Sequence, residues 1–119
     1  MILRGLVLLI ALQHLWFLTL EMFLWTRPIG LRTFRQSPEQ ARATAVLAAN
    51  QGLYNGFLAA GLVWAAFAGP ASAPPLQAFF LGCVLLAGAF GGLTASRAIL
   101  LVQGLPAALG LLLLWLARP

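Results

Sequence analysis

Long apolar runs, separated by short segments rich in proline, glycine or arginine, make up most of the chain. A run of about 20 apolar residues is long enough to cross a bilayer as a helix. The pattern therefore predicts an all-α integral membrane four-helix bundle, forming a single transmembrane domain over residues 1–119. The expected spans cover about residues 3–25, 45–68, 76–94 and 98–117, with a basic cytoplasmic loop over residues 26–44.

Local signals place the helix ends. Proline and glycine within Thr26–Gly30 end the first helix. Ser37-Pro38-Glu39-Gln40 has the form of a capping box with proline at the first helical position, and it predicts a helix that runs unbroken into the second span. The short polar segment Thr94–Arg97 predicts an antiparallel hairpin of the last two helices.

The composition supports a membrane protein: 62% of residues are hydrophobic, only 8% are charged, and the mean hydropathy is +0.97. About a quarter of the residues in soluble domains are charged. Most arginines fall on one side of the predicted spans, which predicts that both termini lie outside. That side holds Arg27, Arg32, Arg35, Arg42 and Arg97, whereas the other holds Arg4 and Arg118.

The same arginines limit the partners. They lack the interleaved aromatic residues of a nucleic-acid surface, so we expect no nucleic acid and predict contact with anionic membrane lipids. Cys83 is the only cysteine, which excludes an intrachain disulfide or a cysteine-cluster metal site. His14 and Glu21 alone are too few ligands for a metal, and we expect neither a metal nor a cofactor.

Glu21 is a carboxylate inside an apolar run, and acids within membrane spans mark functional sites by default. His14 lies seven residues earlier, about 20° away around the helix. Counted along the helices, Glu21, Asn50, Gln51 and Gln103 fall in one layer about 6–9 Å below the cytoplasmic surface. Because polar groups are costly in lipid, these side chains are expected to turn inward and meet.

Tyr54 and Asn55 extend the polar arc of the second span toward the level of His14. The opposite arc carries small residues at i, i+4 spacing, which permits close helix contact with the same chain or with the partner in a homodimer. We expect the polar and the packing faces of this helix to be separate. The small-residue ridge consists of Ala48, Gly52, Gly56 and Ala60.

Glu21 has candidate partners for a purely structural role. Arg97 is a candidate ion-pair partner, and Asn50 or Gln103 would be a hydrogen-bonding one. Glu21 can therefore have this structural role, a role in ligand binding or proton transfer, or both. Pro106 lacks an amide N–H and is expected to loosen the helix next to Gln103.

Three segments resemble the signature segments of a bacterial membrane family known only as domain of unknown function 1304. They are Glu21–Trp25, Ala48–Gly56 and Val102–Ala107. The resemblance extends over essentially the whole chain, and the Asn-Gln-Gly-Leu-Tyr-Asn-Gly run is its most specific part. It implies a small multi-pass protein of the bacterial inner membrane and brings no established activity.

Three functions follow from these observations. The first is binding or transport of a small amphipathic molecule in an intramembrane polar pocket, linked to protons through Glu21. The second is a membrane isomerase or redox accessory enzyme that acts on a lipid-like substrate, with Glu21 and His14 exchanging protons. The third is a structural subunit of a membrane complex.

Overall fold

Helices make up all the regular structure in the computed structural model, which describes residues 1–117. Arg118, which entered the prediction of orientation, lies outside the described residues. The predicted all-α class is confirmed for the described part of the chain. Its five helices are α1 (Ile2–Met22), α2 (Pro28–Phe34), α3 (Pro38–Phe67), α4 (Ala73–Thr94) and α5 (Arg97–Leu116).

Three of these helices, α1, α4 and α5, are long and apolar enough to cross a membrane. At 30 residues, α3 is the longest helix, but it carries Asn50, Gln51 and Asn55 in its middle, which lowers its hydropathy. Length and composition alone therefore identify three candidate spans, where the sequence pattern predicted four.

The predicted start of α3 is confirmed. The backbone N–H of Gln40 donates to Ser37 Oγ at 3.2 Å, and the N–H of Ser37 donates to Gln40 Oε1 at 2.9 Å. These reciprocal bonds form a capping box. Pro38 occupies the first helical position, where its missing N–H has no cost. The helix then continues unbroken to Phe67, as expected.

Within the segment 26–44, the short helix α2 was not predicted, whereas the helical residues from Pro38 onward belong to the predicted start of α3. The short helix α2 ends at Arg35, whose φ of 51° is left-handed. There the N–H of Gln36 donates to the Leu31 carbonyl oxygen at 3.1 Å, which closes the helix end. With seven residues, α2 is too short to produce a readable apolar period.

The chain folds into two compact units, of which the first contains Met1–Ala11 and residues 60–117. Its main feature is the hairpin of α4 and α5, as predicted at Thr94–Arg97. Gly88 faces Gly104 so closely that a Cβ on Gly88 would lie 2.7 Å from the Gly104 Cα. The two helix backbones are therefore in direct contact.

Within α5, residues Leu100–Gly104 form a π-helical segment. The N–H of Leu105 donates to the Leu100 carbonyl, five residues back. This wide turn lies immediately before Pro106, which cannot donate to the carbonyl of Val102. The loosening predicted next to Gln103 thus takes the form of a π segment, and the helix resumes without a break.

The second unit, Leu12–Ala59, contains the second half of α1, all of α2 and nearly the first three quarters of α3. The two long helices approach closely at two glycines. A Cβ on Gly52 would lie 2.6 Å from Met22 Cγ, and one on Gly56 would lie 2.7 Å from Leu18 Cδ1. These two members of the small-residue ridge therefore pack against α1 of the same chain.

Candidate functional site

The close approach of α3 to α1 places Glu21 against the middle of α3. A Cβ on Gly52 would be 3.1 Å from the Cβ of Glu21 and 3.2 Å from the carbonyl oxygen of Leu18. The lack of a side chain at position 52 allows the stem of Glu21 to lie along the surface of α3. The carboxylate then reaches the next turn of that helix.

Asn55 is the residue that the Glu21 carboxylate meets. Its Nδ2 donates to Glu21 Oε2 at 2.7 Å, and both side chains are half-buried. This distance is within the normal range for an N–H···O hydrogen bond. Glu21 and Asn55 are thus the two predicted site residues that the structure joins directly.

The predicted separation of the polar and packing faces of α3 is wrong for Asn55. Asn55 lies on the same side of α3 as the residues that contact α1, at alternating spacings of four and three. The sequence pattern contained this signal, because one face of small residues includes a single amide. We call this set the inner stripe: Ala48, Gly52, Asn55 and Ala59.

The other polar residues of α3 are directed elsewhere. Asn50, Gln51 and Tyr54 are exposed, and Tyr54 packs edge-to-face on Phe57 with 5.7 Å between the ring centroids. No side-chain hydrogen bond joins Asn50 or Gln51 to any of residues 1–117. Asn50 was a predicted hydrogen-bonding partner of Glu21, but the structure shows this bond to Asn55 instead.

His14 lies two turns before Glu21 on α1 and is fully buried, with a relative exposure of 0%. Its ring packs edge-to-face on Phe17, with 5.4 Å between the ring centroids. A burial this complete fits a histidine that holds the helix packing in place. A direct role in proton exchange would require a path from the buried ring to a second group.

Two predicted residues belong to the other compact unit. Gln103 is half-buried within the π segment, and Arg97 is exposed at the start of α5. Their proposed relation to Glu21 stays a prediction. In the unit that contains Glu21, Arg42 forms an exposed ion pair with Glu39 at 3.4 Å.

The end of α1 beyond Glu21 is held by aromatic and hydroxyl contacts. Trp25 Nε1 donates to Thr44 Oγ1 at 3.1 Å, and the Trp25 ring packs on Phe34 with 4.6 Å between centroids. Gly30 lies directly against the carbonyl groups of Leu24 and Trp25. These contacts fix the chain one turn after Glu21 and so restrict the position of its carboxylate.

The Glu21–Asn55 pair offers several hydrogen-bond acceptors. An ionised carboxylate has about four lone-pair positions, and Asn55 uses one of them. The amide oxygen of Asn55 is a further acceptor. The site can therefore receive hydrogen bonds from a hydroxyl, amine or amide group of a second molecule, next to apolar side chains such as Leu18 and Met22.

Comparison with known proteins matches residues 8–115 to the family described as "Protein of unknown function (DUF1304)". The chain is also similar to the uncharacterized protein YpaA of Lactococcus lactis subsp. lactis (strain IL1403). The two are 33% identical over 99 residues, which cover 82% of each chain. No solved structure matches this chain.

Proposed function

The chain belongs to the DUF1304 family of unknown function, and from this premise we propose that it is a multi-pass protein of the bacterial inner membrane that binds or transports a small amphipathic molecule at Glu21 and Asn55. The observation that carries the proposal is the 2.7 Å hydrogen bond between these two side chains, one on an apolar helix and one beside two glycines.

In this proposal α3 joins α1, α4 and α5 as a fourth span, and the four helices form a single transmembrane bundle. Both termini lie outside, and the segment 26–44 with its four arginines lies in the cytoplasm. Support comes from the three apolar helices and from large side chains that are exposed along them, such as Leu9 at 62% and Leu86 at 73%. Lipid is the natural contact for such side chains.

A half-buried carboxylate in an apolar helix needs a reason to be there, because charge in hydrocarbon is costly and is retained mainly for function. Asn55 satisfies only part of the hydrogen-bonding capacity of Glu21. The remaining capacity is available to the polar head of a ligand, and the apolar surface of α1 is available to its tail. A molecule with both parts is amphipathic.

The other predicted residues extend this site. Gln51 lies one turn before Asn55 and would contact a ligand that enters from the cytoplasmic leaflet. His14 would support the packing of α1 deeper in the membrane, and Gln103 stays a predicted ligand-binding residue.

The experiment is native mass spectrometry of the detergent-purified protein, comparing wild type with Glu21→Gln. Glu39→Gln is the matched control, because Glu39 is the second of the two acids and lies in an exposed ion pair. We expect wild type and the control to retain a small molecule that Glu21→Gln loses. Equal occupancy in all three proteins would contradict the proposal.

A further inference from the structure

A second stripe runs along α3, and all its members are exposed. Leu47 is 65% exposed, Tyr54 56% and Phe57 57%, and Asn50 is exposed as well. The spacings of three, four and three residues are those with which one helix packs along another in a two-helix interface. We call this set the outer stripe: Leu47, Asn50, Tyr54 and Phe57.

The outer stripe lies opposite the inner stripe. At 100° per residue, all four of its members fall within about 40° of the direction opposite Gly52. The inner stripe is already covered by α1, since Gly52 and Gly56 contact Met22 and Leu18. Within its unit, α3 thus has one occupied face and one unoccupied face with the same type of spacing.

Polar groups on the unoccupied face require a partner if α3 crosses the membrane. The amide of Asn50 has no side-chain hydrogen bond within residues 1–117. An unsatisfied amide is costly in hydrocarbon, whereas exposed leucine or phenylalanine is not. A partner that covers the outer stripe must therefore offer Asn50 both a donor and an acceptor.

We propose that this partner is a second copy of the chain, packed in parallel through the outer stripe of α3, with Asn50 hydrogen-bonded to Asn50 of the second copy. Two copies inserted in the same orientation are related by a two-fold axis along the membrane normal, so their α3 helices run parallel. Each position of the stripe then faces its own equivalent.

The chemistry of the stripe fits this self-pairing. An amide carries both donors and an acceptor, so two identical asparagines satisfy each other. A single asparagine at such a position is known to fix the register of a parallel two-helix pair. The stripe is uncharged, and Arg42 lies outside it and pairs with Glu39, so no like charges are brought together.

The membrane placement of α3 is taken from the proposed function, but the ligand site is not needed for the dimer.

The test is disulfide crosslinking in a Cys83→Ser background, which removes the only cysteine of the sequence. Asn50→Cys and Tyr54→Cys are reconstituted in vesicles and oxidised with copper phenanthroline. Phe23→Cys is the control, because Phe23 is 66% exposed and follows Met22, which contacts Gly52.

We expect Asn50→Cys and Tyr54→Cys to give several-fold more disulfide-linked dimer than Phe23→Cys, because paired stripe positions bring the Cβ atoms together. If Asn50→Cys and Tyr54→Cys both crosslink only as much as Phe23→Cys, the proposal is overturned. Another protein, a lipid or the ligand would then cover the stripe. Without cysteines, Asn50→Ala is expected to weaken dimerisation about threefold in native mass spectrometry, from an average contact of about 0.6 kcal/mol.

Adding Glu21→Gln to the crosslinking variants separates the two proposals. If the stripe positions crosslink with or without Glu21→Gln, and no small molecule co-purifies even with wild type, the ligand site is wrong and the dimer interface is supported. If the ligand behaves as proposed while neither stripe position crosslinks, the interface fails and the ligand site stands.

Discussion

Gly88→Ala is expected to disrupt the hairpin of α4 and α5. The new Cβ would lie 2.7 Å from the Gly104 Cα and 3.2 Å from the Gln103 carbonyl carbon. Non-bonded carbon atoms prefer about 3.5–4.0 Å, so the two backbones must separate locally by roughly 1 Å. No rotation of a side chain relieves a contact with backbone. Overpacking of this kind costs about 1–3 kcal/mol.

Gly82→Ala provides a matched control on the same helix. No atom outside the local helix lies within 4 Å of a Cβ at this position. Alanine is favoured over glycine in a helix interior by up to about 1 kcal/mol, so this variant is expected to be neutral or slightly stabilised. Both variants gain the same helix propensity, so they should differ in free energy of unfolding by the overpacking cost alone, about 1–3 kcal/mol.

The assay is unfolding in mixed micelles by titration with sodium dodecyl sulfate, followed by far-ultraviolet circular dichroism. Wild type, Gly82→Ala and Gly88→Ala are compared at one protein concentration. Equal free energies of unfolding for the two alanine variants would refute the backbone contact between Gly88 and Gly104, and with it the tight packing of the π segment on α4.

Three further variants test the end of the second unit that contains α2, by the same titration. Ser37→Ala removes the acceptor of the Gln40 N–H and should destabilise the protein by about 1 kcal/mol; no change would mean that the capping box is not formed. Arg35→Gly relieves the left-handed backbone at φ 51° and should stabilise by up to about 1 kcal/mol, whereas a loss of stability would indicate that the guanidinium has a structural role. Gly30→Ala brings a Cβ against the Leu24 carbonyl and should destabilise by about 1–3 kcal/mol, and wild-type stability would contradict this contact.

Features that depend on a few neighbouring residues were predictable from the sequence. The capping box at Ser37 and Gln40 and the hairpin turn at Thr94–Arg97 have this character, and both are present. The end of α1 was predicted at Trp25 but occurs at Met22. There the N–H of Leu24 donates to the Thr19 carbonyl, five residues back, and the apolar pattern does not reveal this change.

The partner of Glu21 depends on the rotation of α3, which the polar pattern alone does not determine. Four polar residues lie close together on α3, and counting along the helices predicted Asn50 and Gln51 at the depth of Glu21, with Tyr54 and Asn55 deeper. Gly52 and Gly56 decide the rotation, because they are the positions where α1 can approach the backbone. Once these glycines face α1, Asn55 faces Glu21, and Asn50 and Tyr54 are turned outward.

Ligand retention in Asn55 variants tests the central claim most directly. Asn55→Leu removes the amide that holds Glu21 while keeping Glu21 itself, and Glu39→Gln serves again as the control for general effects of purification. Native mass spectra are recorded for folded protein at equal load. The account predicts a small molecule bound to wild type and to Glu39→Gln, and reduced or absent in Asn55→Leu. Full occupancy in Asn55→Leu, with the protein folded, would contradict the claim that the Glu21–Asn55 pair forms the binding site.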